Sequence, residues 1–233
     1  MRDADFKGRG NQTAGGILFN CFQAAVALFL NGFGVYLTMR ANIGAGPWDV
    51  FNLGLSKTLG ILYGTASISV SCTILLIDIL LKEPIGLAMF IDSVVVGKAV
   101  DLFDALGFVP VPGSLLPAVG MQLIGLTIMG YAQYFYMRAA LGCGPRDTLL
   151  VGLKKRLDKI PIGVVSILLL GTATLTGWLL GGPVGPGTLI CAFLSGPIMQ
   201  LAFRTVRFDA TKIVHQRLRE SARVLFKKNR SAA

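Results

Sequence analysis

The sequence predicts an all-α, polytopic membrane helix bundle built from two homologous halves, and three observations lead to this prediction. Hydrophobic residues make up 53% of the 233-residue chain and charged residues only 15%, whereas a soluble domain carries about a quarter charged residues. The charges avoid four stretches, each able to hold at least one span of about 20 apolar residues: 11–39, 58–77, 105–137 and 160–203. The third observation is a glycine-rich sequence that occurs twice.

The repeated sequence covers residues 32–49 and 130–147. At an offset of 98 residues, nine of these eighteen positions are identical, and both copies end in Gly-x-Gly-Pro-x-Asp. With one residue inserted, an offset of 99 aligns later positions: Gly64 with Gly163, Pro84 with Pro183, Gly86 with Gly185, and Gly97 with Gly196. This agreement indicates an internal duplication.

Each half is predicted to hold three spans, with one short helix after its Gly-x-Gly-Pro-x-Asp turn. Glycine lets the chain reverse, and proline suits the first position of a helix. The first half then has a span at 16–38, a short helix at 47–58, and spans at 62–81 and 86–106. The matching segments of the second half are 114–137, 145–157, 162–181 and 187–204.

These elements define four regions of the chain. They are a polar, disordered cytoplasmic N-terminus (1–12), membrane repeat 1 (13–106), membrane repeat 2 (107–204), and a basic amphipathic cytoplasmic tail (205–233). About six transmembrane helices result, with a short broken or re-entrant helix in each repeat. The sequence leaves open whether these short helices are re-entrant or interfacial.

The number of spans sets the orientation of the halves. Three is an odd number, so the second half is predicted to enter the membrane from the opposite side, as an inverted repeat. If the short helices crossed the membrane, the repeats would instead be parallel. Lys and Arg collect at 138–161 and in the tail but are absent from 107–113 and 182–186, which favours inverted repeats and cytoplasmic termini. Two basic residues in 40–57 are the exception.

The basic tail predicts a membrane partner. Between Arg204 and Arg230 there are nine Lys or Arg and two Asp or Glu, which give the tail +7 of the net charge of +10. Beside a membrane domain, this charge favours anionic phospholipid headgroups over nucleic acid. The expected location is the bacterial inner (cell) membrane, in a multi-pass arrangement. The oligomeric state is left open, a homo-oligomer included.

The two Gly-x-Gly-Pro-x-Asp turns are the first candidates for a substrate site. Their aspartates would lie near the third helical position, where free N–H groups and the helix dipole favour an anion. The turns are either structural caps or two broken-helix starts that face each other around a midplane site, as in secondary transporters. The residues are Gly44, Gly46, Pro47 and Asp49 in the first turn, and Gly142, Gly144, Pro145 and Asp147 in the second.

Charged residues near the turns and in the third span are further candidates. Arg40 and Arg138 precede the two turns, and would either snorkel to headgroups or pair with the aspartates around an anionic ligand. Ionisable groups at membrane depth are costly and usually line a bundle interior or a water-filled path. This applies to Asp92, and also to Lys98 and Asp101, which are spaced to form an internal ion pair. A site is expected between the two turns, biased by Asp92 and Lys98.

Catalysis, a metal and a cofactor are not expected. The single histidine, His215, lies in the tail, no HExxH or GxSxG motif occurs, and the four cysteines show no CxxC spacing. Proline after the second glycine also departs from the GxGD pattern of intramembrane aspartyl enzymes. The leading hypothesis is a small transporter or permease for an unknown small molecule or ion. The alternative is a non-transporting regulatory or accessory membrane factor that acts through its tail.

Several motifs occur in a fixed order between residues 16 and 204. They are Gly44-x-Gly46-Pro47-Trp48-Asp49 with Gly54-Leu55-Ser56, Gly142-x-Gly144-Pro145-Arg146-Asp147 with Gly152-Leu153, and Gly181-Gly182-x-x-Gly185-x-Gly187-Thr188 with Gly196-Pro197. Together they resemble the YczE/YyaS/YitT group of bacterial multi-pass membrane proteins, in its YczE-like branch. The resemblance implies a plasma-membrane protein of about this size and no settled activity. Gly86-Leu-Ala-Met and Lys98 depart from the pattern, which argues against a fully symmetrical site.

Overall fold

The computed structural model describes residues 14–209, and this part of the chain forms eight α-helices and no strands. Every helix begins and ends within two residues of its predicted bounds. The predicted N-terminus (1–12) and nearly all of the basic tail lie outside the described residues. The helices are α1 (Ala14–Arg40), α2 (Pro47–Leu59), α3 (Tyr63–Leu80), α4 (Leu87–Leu106), α5 (Leu115–Arg138), α6 (Pro145–Arg156), α7 (Ile162–Leu179) and α8 (Pro186–Thr205).

Length and composition divide the helices into three groups. Within the described residues, five helices are long and apolar enough to cross a membrane: α1, α3, α5, α7 and α8. Helix α4 has 20 residues but carries four charged side chains. Helices α2 and α6 have only 13 and 12 residues, and at 1.5 Å per residue each is shorter than the hydrocarbon core of about 30 Å.

The centre of the bundle is the crossing of α1 and α5, which run antiparallel. Near the start of α1, Gln23 donates a hydrogen bond to the carbonyl of Phe135 close to the end of α5 (2.9 Å). Further along α1, a Cβ atom on Gly34 would lie 2.8 Å from the carbonyl oxygen of Gly125. The two backbones therefore approach closely because both residues are glycine, as at many helix contacts in membranes.

Each half also packs on the other through its short helix. Helix α2 contacts α7, and α6 contacts α3, so each short helix packs against the second long helix of the opposite half. Within each half, the first and last long helices pack together, as α1 with α4 and α5 with α8.

The two Gly-x-Gly-Pro-x-Asp turns have the same shape and the same partners. Their central glycines have φ angles of 110° at Gly44 and 117° at Gly142, in the region that glycine adopts without steric cost. The amide of Gly187 donates to the carbonyl of Ile43 at 2.7 Å. At the equivalent place in the other turn, the amide of Ala88 donates to the carbonyl of Leu141 at 3.2 Å. Each turn is thus held by the start of the last long helix of the other half.

The halves differ in how their last two long helices pack. Helices α3 and α4 meet closely: a Cβ atom on Gly97 would lie 2.9 Å from the carbonyl oxygen of Gly64. Helices α7 and α8 diverge, and Cβ atoms on the equivalent Gly163 and Gly196 would meet nothing within 4 Å. An apolar groove therefore separates α7 from α8, with no counterpart between α3 and α4.

Candidate functional site

A cavity of about 240 Å³ lies between the two Gly-x-Gly-Pro-x-Asp turns, and we call it the central pocket. Leu126 and Leu170, which line it, are at the middle of α5 and α7. Both turns reach the pocket through the residues that start their short helices. The lining residues are Asn31, Val35, Thr38, Gly46, Pro47, Trp48, Asp49, Ser67, Ser71, Asp92, Val96, Leu126, Met129, Arg146, Leu170, Cys191, Ala192 and Ser195.

The first turn contributes a buried carboxylate to the central pocket. Pro47 is the first residue of α2, and Asp49 follows at the third position with a relative exposure of only 7%. The hydroxyl of Tyr63 donates to Asp49 Oδ1 at 2.7 Å, and the amide group of Asn52 donates to that hydroxyl at 3.4 Å. This chain of hydrogen bonds fixes the carboxylate at the positive end of α2.

The second turn contributes a cation from the variable position of the motif. Arg146 is the repeat counterpart of Trp48, and its guanidinium carbon lies 5.2 Å from the centre of the Trp48 ring. This distance is within the range of a cation–π interaction. The guanidinium also donates to the hydroxyl of Ser67 at 3.5 Å. Equivalent positions of the two repeats therefore meet in the central pocket.

Helix α4 adds a second carboxylate opposite the start of α6. A Cβ atom on Gly144 would lie 2.7 Å from Asp92 Oδ2, so the carboxylate sits directly against this turn. The counterpart of Asp92 in the repeat is Cys191, which lies beside Gly46 at the start of α2. Arg146 is close enough to act electrostatically on both Asp49 and Asp92.

A glutamine braces the first turn from behind. The side chain of Gln122 is fully buried. Its amide nitrogen lies 2.9 Å from Cys191 Sγ and 3.1 Å from the carbonyl oxygen of Gly187. Because its repeat counterpart is Ala24, this brace exists on one side only. The repeat alignment did not point to Gln122, because the equivalent position in the first half is apolar.

Eight of the thirteen predicted site residues line the central pocket or shape the turns beside it. Gly46, Pro47, Asp49 and Asp92 line the central pocket. Gly144 and Pro145 position Arg146 at the start of α6, and Gly44 and Gly142 shape the turns behind these helix starts.

The remaining predicted residues lie outside the lining of the central pocket. Asp147 is exposed and lines a separate cavity of about 310 Å³ together with Glu83 and Lys155. The other four residues also lie outside both cavities. Arg40 donates to the carbonyl of Val109 at 2.9 Å, and Arg138 donates to the hydroxyl of Tyr134 at 3.3 Å. Lys98 is exposed, and Asp101 accepts a hydrogen bond from the amide of Gly64 at 2.7 Å. Asp101 therefore caps α3, and the sequence-based pairing of Asp101 with Lys98 is wrong.

The loop between α3 and α4 carries a second charged cluster. Glu83, whose side chain is 5% exposed, forms ion pairs with Lys155 and Arg156 at the end of α6. The hydrogen bond from Lys155, together with that from Arg156, holds the pKa of Glu83 below its ordinary value. This cluster joins α6 to the first half at the periphery of the bundle.

The central pocket can hold a small molecule with both charged and apolar parts. It presents one guanidinium, two carboxylates, the Asn31 amide and several hydroxyl groups, and most of its remaining wall is apolar. Such a mixture is typical of ligand pockets, in which a few polar groups orient a ligand against an apolar surface. Among residues 14–209, no group of three His, Cys, Asp or Glu side chains is placed to hold a metal ion.

Comparison with known proteins assigns the family. A family model described as "Family of unknown function (DUF6198)" matches residues 18–204. The chain belongs to this family. No solved structure matches it.

Three relatives agree with this assignment. An "Uncharacterized protein" of Haemophilus influenzae is 32% identical over 174 residues, covering 75% of this chain and 78% of the relative. The "Uncharacterized membrane protein YczE" of Bacillus subtilis is 27% identical, covering 75% and 81%. The "Uncharacterized protein YyaS" of the same organism is 26% identical, covering 76% and 88%. The resemblance to the YczE and YyaS proteins is thereby confirmed, and the chain is a multi-pass membrane protein.

Proposed function

We propose that the protein is a small transporter, not an enzyme, whose substrate binds in the central pocket. The observation that carries this proposal is the meeting of Arg146 and Trp48, one from each repeat, next to the carboxylates of Asp49 and Asp92. Charged groups inside a membrane bundle usually mark a substrate or ion path. Two helix starts that face one site are also a recurrent arrangement in secondary transporters.

The proposal includes six spans, with α4 as the sixth. Helix α4 runs parallel to α1: Ile17 and Ala88 share one core cluster near the starts of the two helices. Further along, the rings of Phe29 and Phe103 pack against each other with their centres 5.1 Å apart. With 20 residues, α4 is about 30 Å long, which is enough to accompany α1 across the bilayer. Its charged side chains cap α3 or face the central pocket, apart from Lys98 and Asp104, which are exposed.

The short helices are proposed to be re-entrant, because both ends of each helix contact a single loop. At the two ends of α2, the carbonyl of Ile43 and the hydroxyl of Thr58 bind Gly187 and Leu180, seven residues apart. At the two ends of α6, Leu141 and Arg156 bind Ala88 and Leu81 in the same way. A helix that crossed the bilayer would place its ends on opposite sides, out of reach of one loop.

These contacts support an inverted repeat. The equivalent helices α1 and α5 are antiparallel, as expected if one half is turned over relative to the other. The close packing of α3 on α4 and the divergence of α7 from α8 then represent two conformations of one structural unit. If the halves exchange these conformations, the central pocket opens to each side of the membrane in turn.

The proposed location is the bacterial inner membrane with both termini in the cytoplasm. The charged cluster of Glu83, Lys155 and Arg156 would face the cytoplasm. The tail, which lies outside the described residues, would bind anionic headgroups.

Ligand binding and transport by the purified protein test the proposal. Thermal-shift screening with amino acids, amines and inorganic ions identifies a ligand, and flux of that ligand into proteoliposomes is then measured. We expect Asp49→Asn to abolish the shift and the flux, since Asp49 lines the central pocket. Asp104→Asn is the control, because it removes an exposed carboxylate on α4 outside the lining of that pocket, and it should keep both.

Two results would contradict the transporter. One is unchanged flux in both Asp49→Asn and Arg146→Gln. The other is this same unchanged flux together with loss of cellular function when residues 208–233 are deleted. That combination favours the regulatory alternative.

A further inference from the structure

The groove between α7 and α8 is a second large cavity, with a volume of about 490 Å³. Its walls are almost entirely apolar and are formed by side chains such as Ile167, Leu175, Trp178, Leu189 and Phe193. A Cβ atom on Gly171, which lies on the wall of the groove, would meet nothing within 4 Å.

The repeat shows that this groove is not imposed by the helix pattern. In the first half, the equivalent helices close on each other at Gly64 and Gly97, and Asp101 seals the contact by capping α3. The second half has glycines at the same two positions, Gly163 and Gly196, but they remain apart. Helices α7 and α8 thus carry the small residues needed for closure and are nevertheless open.

The groove adjoins the central pocket. Pro47, Leu170 and Ala192 line both cavities, so no more than one layer of side chains lies between them. One cavity carries opposite charges and the other is apolar, and together they form an elongated site that is polar at one end. The open side of the groove lies between two helices that are apolar enough to face lipid.

We propose that the substrate is an amphiphile with a zwitterionic, amine-bearing headgroup, which enters sideways from the bilayer between α7 and α8. The headgroup occupies the central pocket and one acyl chain occupies the groove. This inference rests on the transport function proposed above and specifies the substrate class of the same site.

The charges of the central pocket select the headgroup. Arg146 provides a planar donor for a phosphate or carboxylate group. Asp49 and Asp92 provide acceptors for an ammonium group. With one arginine and two aspartates the pocket carries a net charge of −1, so it favours an ammonium group and disfavours an anionic headgroup without an amine, which would add charge to a site of low polarity. The Arg146 guanidinium contacts the Trp48 ring and the hydroxyl of Ser67, which leaves donors for the phosphate or carboxylate that a simple cation lacks.

Tryptophan fluorescence tests this inference, because the two tryptophans of the chain lie in the two cavities. Trp48 lines the central pocket and Trp178 lines the groove. The protein with Trp178→Phe, which keeps Trp48 alone, is reconstituted into phosphatidylglycerol vesicles that contain phosphatidylethanolamine brominated along its chains. Bromine quenches indole fluorescence only at short range, so lipid in the surrounding bilayer contributes little.

We expect saturable quenching of Trp48 by brominated phosphatidylethanolamine and its loss when the groove is filled by Gly171→Leu. Gly120→Leu is the matched control, since Gly120 lies on α5 in similarly open space outside both cavities, and it should quench as the parent does. Brominated phosphatidylglycerol should quench several-fold less than the ethanolamine lipid.

The contrary outcomes separate the two proposals. Absent quenching, or equal quenching in the two leucine variants, overturns the amphiphile. Equal quenching by both headgroups overturns the zwitterionic selection. If soluble phosphoethanolamine changes Trp48 fluorescence and is transported while the brominated lipid has no effect, the transporter stands and the lipid substrate fails. Saturable lipid quenching without flux supports the site and contradicts transport.

Discussion

Asp49 and Asp147 occupy the same position of the repeat, yet their surroundings differ. Asp49 accepts a hydrogen bond from Tyr63 and is buried beside the central pocket. The repeat counterpart of Tyr63 is Ile162, which has no donor, and Asp147 is exposed. A motif that is symmetrical in sequence therefore yields one buried carboxylate in the central pocket and one exposed carboxylate in a separate cavity.

The Tyr63–Asp49 pair should contribute measurably to stability. A hydrogen bond to a charged group contributes about 1.5–3 kcal/mol, and we expect Tyr63→Phe to lower the free energy of unfolding in detergent by about this amount. In an Asp49→Ala background the same substitution should cost far less, which is the signature of a coupled pair. Tyr131→Phe, which removes an exposed hydrogen bond to Thr205, is the control and should have little effect. Additive costs in the double variant would contradict the pairing.

Glu83 should make stability depend on acid pH. Its pKa is lowered in the folded protein, so the unfolded chain binds the proton more tightly than the folded one. The stabilisation is therefore complete above the ordinary glutamate value of 4.5 and is lost as the pH falls through the folded pKa. In a series of melting temperatures measured from pH 7 downwards, the parent should lose stability once the pH is below 4.5. The melting temperature of Glu83→Gln should change less steeply over the same pH range. Asp104→Asn, which alters an exposed carboxylate on α4, should keep the parental slope.

The sequence predicted the backbone turns that form the site, but not all of the side chains that supply its chemistry. The repeated glycines, prolines and aspartates identified the two helix starts, because these residues have fixed backbone roles. Trp48 and Arg146 were missed because they occupy the variable position of the motif, where the halves differ. Their contact depends on how the two turns face each other, which is a tertiary property.

The bounds of the helices, in contrast, were predictable from local chemistry. Glycine and proline interrupt every apolar stretch at a turn, and each predicted helix agrees with the structure to within two residues. The groove between α7 and α8 was not predictable, since Gly163 and Gly196 carry the same local signal as the closely packed Gly64 and Gly97. Packing between helices, and not helix propensity, decides which pair closes.

The contact of α2 with α7 depends on glycine. A Cβ atom on Gly177 would lie 2.5 Å from the backbone of Phe51, whereas one on Gly171 of the same helix would meet nothing within 4 Å. We expect Gly177→Ala to lower the free energy of unfolding by about 1–3 kcal/mol, the usual cost of overpacking. Gly171→Ala should raise it by up to about 1 kcal/mol through helix propensity alone. Similar effects of the two variants, measured by thermal unfolding in detergent, would show that α2 does not pack tightly on α7.

At the scale of the bundle formed by residues 14–209, the contacts that tie the turns and the ends of the short helices to loops fall into two separate groups. In one group, Arg40 binds Val109, and the first turn and the end of α2 both bind the loop between α7 and α8. In the other group, the second turn and the end of α6 both bind the loop between α3 and α4. This separation is what two opposite faces of a membrane bundle require, and it holds only if neither α2 nor α6 crosses from one face to the other.

A topology measurement tests this whole-molecule arrangement. Residue 110 precedes α5 and residue 158 follows α6, so one crossing by α5 places them on opposite sides, whereas a second crossing by α6 would place them on the same side. We expect a reporter fused at 110 to be external and one at 158 to be internal, with a third at 83 internal because Glu83 contacts the end of α6. Matching signals at 110 and 158 would end the inverted-repeat arrangement, and with it the two-sided access on which transport through the central pocket depends. A reversed pair would keep opposite faces but place both termini outside, since the orientation rests on the distribution of Lys and Arg alone.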